Sequence, residues 1–177
     1  MKKLFLVLPL LLLSNPTQSN KIKIPTASET HNSKAYYKIG KSYVKNGKRY
    51  KPCLDKQYTK IGTASYYGKG FHNKLTANGD TFNKNDITAA HPTLPMFSKV
   101  WVTNLETGKK ILVTVNDRGP YRNNRIIDLS EKTAEILEFK KDGTVKVRVE
   151  YDHEETERYL KARGLFEQYK KATSKNI

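Results

Sequence analysis

A chain of 177 residues has room for one domain of ordinary size with appendages at its ends, and its single cysteine, Cys53, excludes an intramolecular disulfide framework. Lys and Arg number 33 against 17 Asp and Glu, a net charge of +16. That charge suits a solvated surface or attraction to an anionic polymer of the cell envelope. Lysine carries most of it and is spread along the chain, with no helix-turn-helix, zinc-finger or RNA-binding signature, so no nucleic-acid partner is expected.

At the N-terminus Lys2 and Lys3 precede an apolar run over 4–13, and Thr17-Gln18-Ser19 offers small residues for cleavage. This predicts a signal peptide over 1–19, with the mature chain beginning near Asn20. The run is too short for a stable transmembrane segment, which needs about 20 apolar residues, and Pro9 interrupts it. No cysteine follows it to take a lipid. The expectation is an exported protein, periplasmic or envelope-associated and not lipidated. Residues 20–34 are polar and aperiodic and read as a flexible lead-in.

Within 35–60, Tyr43-Val44-Lys45 and Lys48-Arg49-Tyr50 flank Asn46-Gly47, a strong hairpin signal because both turn residues tolerate positive φ. The tyrosines of this extension, with Tyr36, Tyr37 and Tyr58, either pack it onto the domain or form a sugar-stacking strip; packing is the reading preferred. From 61 to 150 the segments 63–67, 87–90, 99–104, 110–115, 125–128 and 144–150 are β-branched or alternating, with turn residues between them. They predict a mainly β fold, a six-stranded barrel. One helix interrupts it, with Ser130 as N-cap, Glu131 at the positive end of its dipole, and Ala134, Ile136 and Leu137 as its apolar stripe. The charged tail over 151–177 is predicted helical, with Gly164 as a weak point.

Several side chains can carry chemistry. Asp117, in Asn116-Asp117-Arg118-Gly119-Pro120, ends an apolar strand at the rim of the sheet, as a reactive carboxylate or as half of an ion-pair brace with Arg118. Asp80 lies in Asn78-Gly79-Asp80-Thr81, a turn expected to display its side chain. His91 ends a short strand before Pro92, suited to a structural hydrogen bond or to proton traffic. Asp128 precedes the helix and reads as a cap. Tyr66 and Tyr67 alternate, so one is expected in the core and the other exposed, free to stack on a sugar. His31, His72, His153 and Cys53 lack ligand spacing, and Ser65 is in no nucleophile elbow, so neither a metal site nor a serine nucleophile is expected. Carboxylate and imidazole acid/base work remains.

The ordered blocks GTASYYG, TAAHPTLP, VTNLETGK, VNDRGPY and RIIDLS resemble the rare lipoprotein A (RlpA) family of exported double-psi β-barrel proteins. The resemblance covers Gly62 to about Glu150 and extends upstream through YKIGKSYVKNGKRYKP. It implies a six-stranded double-psi β-barrel with a glycan groove. In active members it implies a lytic transglycosylase that cleaves the MurNAc–GlcNAc bond of peptidoglycan glycan strands without water, leaving 1,6-anhydro ends and using no cofactor. Asp117 matches the acid/base, expected to be kept protonated by partial burial and by the charge of Asp80. His91 matches a groove histidine that bonds the sugar or the carboxylate. Asp80 stands where the family usually has glutamate, one methylene longer, and misplacing a reacting group by about 1 Å can cost on the order of 10²-fold in rate. Tyr67, Asn116 and Arg118 are the expected substrate-binding residues, with Arg118 facing substrate or rim. The tail after 150 is too short for the glycan-binding repeat domain that many relatives carry. The alternatives are a non-catalytic, expansin-like wall-binding barrel and a hydrolase with Asp80 and Asp117 about 6.5–9.5 Å apart.

Overall fold

Six strands close a barrel in the computed structural model, which describes residues 36–68, 70–122 and 124–174. The expected signal peptide and lead-in lie outside the described residues. A hairpin of β1 (Tyr43–Lys45) and β2 (Lys48–Tyr50) precedes the barrel strands β3 (Thr59–Tyr66), β4 (Thr88–Ala90), β5 (Lys99–Asn104), β6 (Lys110–Asp117), β7 (Arg125–Leu129) and β8 (Thr144–Asp152). Around the barrel the order is β3-β7-β4-β6-β5-β8, with β3/β7 and β4/β6 parallel and the other pairs antiparallel.

Period-two patterning builds this barrel. On β8, Val145, Val147, Val149 and Tyr151 are buried while Thr144, Lys146 and Arg148 are exposed. Ile111, Val113 and Val115 of β6 and Val100 and Val102 of β5 complete the interior with Ile127 and Leu129 of β7. Burying each such side chain stabilises the fold by about 1.5–3 kcal/mol relative to exposure.

The hairpin turns as the sequence predicts, with Asn46 at φ 50° and Gly47 at φ 73°. Tyr43 and Tyr50 stack at 5.2 Å, both meet Tyr121 edge-on, and the Tyr43 hydroxyl donates to the Pro92 carbonyl at 2.7 Å. These tyrosines pack the extension onto the barrel. Cys53, by contrast, is exposed.

Helix α1 (Glu131–Ile136) is capped by Ser130, whose Oγ accepts from the Thr133 N–H at 3.2 Å. Asp128 is not that cap: its side chain pairs with Arg125 and Ser65 instead. Beyond the barrel, α2 (His153–Ala162) and α3 (Phe166–Thr173) are separated at Gly164, φ +68°. Their apolar side chains Leu160, Leu165 and Tyr169 form a second core with Tyr37, Met96 and Phe97. The charged tail therefore clasps the start of the extension, and Gln168 Oε1 accepts from the Tyr37 N–H at 3.1 Å.

Candidate active site

A β-bulge aims the key carboxylate. Thr88 pairs with Thr114 and Ala89 with Val115, but Ala90 pairs with Asp117, so Asn116 is the extra residue. In a regular strand Asp117 would share a face with Val115, which is fully buried in the barrel. With the bulge, Asp117 joins the face of Ala90, whose partner on β7 is Asp128, itself opposite Ser65 on β3. Asn116 is buried, and its carbonyl accepts from the Asn78 N–H.

Three donors hold the Asp117 carboxylate. Oδ1 accepts from the Ala77 N–H at 2.9 Å and the Arg118 N–H at 2.8 Å, and Oδ2 accepts from the Tyr67 hydroxyl at 2.8 Å. The Tyr67 ring packs on Phe71 and Phe82, and its burial, reinforced by the Asp117 charge, pushes its hydroxyl far above the usual tyrosine range. Tyr67 is thus a fixed hydrogen-bond donor to the carboxylate. Neither tyrosine of the expected core-and-exposed pair is exposed: both are half-buried, and the Tyr66 hydroxyl donates to the Lys140 carbonyl.

Asp80 is buried, 3% exposed, rather than displayed on its turn. Asn78 folds back over Gly79 so that its Nδ2 donates to Asp80 Oδ2 at 2.8 Å and its Oδ1 accepts from the Asp80 N–H at 3.0 Å. The 76–80 turn reaches the bulge through main chain, the Ala77 and Asn78 N–H groups meeting Asp117 and Asn116.

His91 is 1% exposed. Its Nδ1 accepts from the N–H groups of Thr93 and Leu94, and its Nε2 lies 2.8 Å from the Tyr58 hydroxyl. Burial first, then the Arg118 and Lys60 charges, lower its pKa from 6.5 to about 3, so the ring is neutral. Its bond to Asp117 runs through main chain, His91 N–H to the Asp117 carbonyl at 3.1 Å, and its side chain faces Tyr58 where a sugar or carboxylate was expected. Arg118 also departs from expectation. Its guanidinium donates to the carbonyls of His91, Leu94 and Ile39, tying the 91–94 turn and the extension to the loop that carries Asp117.

Two arrangements were not foreseen from the sequence. Tyr58 stands just ahead of β3, and only its hydrophobic environment and the fold bring it to His91, 33 residues away. The other is the cluster in which Arg125 binds Ser65 Oγ and Asp128 Oδ2 while Ser65 donates to Asp128 Oδ1. Burial raises the Asp128 pKa against the pull of Arg125.

Two clefts adjoin the 116–121 loop. One is lined by Tyr50, Tyr58, His91 and Tyr121 together with Lys48, Arg49, Lys51, Lys60, Arg122 and Arg125, with no carboxylate among the described residues that line it. The other takes in Lys38, Lys41, Tyr43, Ala77 and Arg118, again without a carboxylate among the described residues.

A closed, mixed six-stranded barrel with a carboxylate bulged onto its rim beside cationic clefts defines a double-psi β-barrel protein of the lytic transglycolase type, and the family model so described matches residues 59–149. The chain belongs to the RlpA family. It is 56% identical over 131 residues to the endolytic peptidoglycan transglycosylase RlpA of Rickettsia bellii, covering 72% of this chain and 58% of that one. Against the protein of the same name from Rickettsia felis it is 51% identical over 146 residues, 81% of this chain and 64% of the relative. The chain thus spans about three fifths of the length of these two relatives. Among solved structures, the Streptomyces papain inhibitor superposes with a TM-score of 0.44 at 21% identity, covering 53% of this chain and 94% of that one.

Proposed function

We propose that this chain is a lytic transglycosylase that cleaves the MurNAc–GlcNAc bond of peptidoglycan glycan strands, with Asp117 as its single acid/base. One observation carries the reading: a rim carboxylate oriented by three donors, beside clefts lined by tyrosines and cations. In the first half-reaction the Asp117 carboxyl gives its proton to the glycosidic oxygen, the C1–O bond breaks, and an oxocarbenium-like muramyl centre develops. In the second, the Asp117 carboxylate takes the proton of the muramyl C6 hydroxyl as O6 bonds to C1. The proton returns to Asp117, and the strand leaves with a 1,6-anhydro end. The contacts on Asp117 are those of an acceptor on both oxygens, which suits the carboxylate that performs this second step.

The other residues position this group. Tyr67 and the Ala77 N–H fix the direction of the carboxylate, Asp80 holds the turn that supplies Ala77, and Asn116 supplies the bulge. A misplacement of about 1 Å at such a centre costs on the order of 10²-fold, so these residues bear on rate without touching sugar. The cations of the clefts draw the chain to an anionic wall polymer and raise encounter rates. Relatives of the family are named for peptidoglycan, which lies in the cell envelope, and export through the predicted signal peptide accords with that location.

Mass spectrometry of purified peptidoglycan digested with the protein tests the proposal. Anhydro-muramyl ends support it, and new reducing ends make the enzyme a hydrolase. Unchanged sacculi that sediment with the protein make it a wall-binding barrel.

A further inference from the structure

His91 is placed by resemblance in the groove, yet its imidazole is sealed behind Tyr58. Two main-chain N–H groups, from Thr93 at 3.2 Å and Leu94 at 2.9 Å, point at Nδ1, which therefore carries no hydrogen. In a neutral ring the proton then sits on Nε2, and the 2.8 Å contact is a donation from His91 to the Tyr58 oxygen. Tyr58 meets the ring edge-on at 5.0 Å, so its aromatic plane is held as well. Its own O–H hydrogen cannot point at His91. Both residues line the cationic cleft, and that cleft is where the hydrogen is free to go.

We infer that the Tyr58 hydroxyl is a ligand-binding donor of this cleft, giving its hydrogen bond to a neutral glycan oxygen, and that His91 is the positioning residue behind it. The inference rests on the glycan reading for the identity of the ligand, and on hydrogen-bond geometry alone for the direction of the donor. Each donor in the series strengthens the next, because an oxygen that accepts a hydrogen bond becomes a better donor. The main-chain N–H groups polarise His91, and His91 polarises Tyr58. Burial raises the Tyr58 pKa to about 12, so its proton stays in place at any pH at which the cell wall exists.

The test uses the full chain carrying Asp117→Asn, so that soluble glycan strands bind without being cut. Adding Tyr58→Phe, which removes one oxygen, is expected to weaken glycan binding about three- to tenfold at a temperature well below unfolding. Unchanged affinity with a lowered unfolding midpoint would mean that the hydroxyl serves only to satisfy His91, and overturns the inference. Nitrogen NMR of the His91 ring supplies a second readout. A protonated Nε2 and bare Nδ1 from pH 5 to 8 are expected, whereas a protonated Nδ1 overturns the direction of the donor. If the Asp117→Asn chain binds no glycan, the proposed function fails and the ligand assigned to Tyr58 fails with it. The NMR measurement would still decide which way the Tyr58 hydrogen points.

Discussion

The hydroxyl of Tyr67 donates to Oδ2 of Asp117 at 2.8 Å, from a ring that packs on Phe71 and Phe82. A hydrogen bond to a charged group contributes about 1.5–3 kcal/mol, and each 1.4 kcal/mol lost from transition-state stabilisation is about tenfold in rate. Tyr67→Phe keeps the ring and removes the donor. It is expected to lower kcat at least about tenfold while KM stays within about twofold, because the lost contact orients the proposed acid/base rather than the substrate. Steady-state kinetics on soluble glycan strands check this, and a change confined to KM would instead put Tyr67 on the sugar.

Arg118 is a brace between three parts of the chain, its guanidinium donating to the carbonyls of Ile39, His91 and Leu94. A lysine ammonium cannot reproduce that planar fork. Arg118→Lys is therefore expected to cost about 2–3 kcal/mol in urea unfolding, through acceptors left unpaired. Limited proteolysis of the variant should cut first within 36–52, the segment that Arg118 ties down.

His91 gives the stability a pH dependence of defined sign. Its folded pKa is lowered from 6.5 to about 3, so between those values the unfolded chain binds a proton that the native chain does not. The contribution is intact above pH 6.5 and is lost as pH falls toward 3. The slope from this group is roughly 1.4 kcal/mol per pH unit. Unfolding midpoints measured across that range should show it, and His91→Gln, although less stable, should lack this component.

The barrel was legible because its strands are built by local alternation. Val145, Val147, Val149 and Tyr151 announce the buried face of β8, Asn46-Gly47 the hairpin and Ser130 the cap, and each depends on residues close in sequence. What was hidden depends on partners far along the chain. The bulge at Asn116 exists only against β4, and Arg118 turns inward because carbonyls at 39, 91 and 94 converge on it. The docking of the helical tail was hidden because Leu160, Leu165 and Tyr169 are few among its lysines and glutamates, and the Tyr37 they cover lies near the other end of the described chain.

In the proposed mechanism Asp117 gives and retakes the proton that drives ring closure. Asp117→Asn preserves an oxygen for the Ala77 and Arg118 N–H groups, so the fold should persist with an unfolding midpoint close to that of the parent. The decisive measurement is the release of anhydro-muramyl products from peptidoglycan by the two proteins side by side, quantified by mass spectrometry. Abundant anhydro ends are expected from the parent and a rate at least about 10³-fold lower from the variant, on the scale of a lost general acid/base. Release by the folded variant at the parental rate would contradict that mechanism and move the acid to another residue.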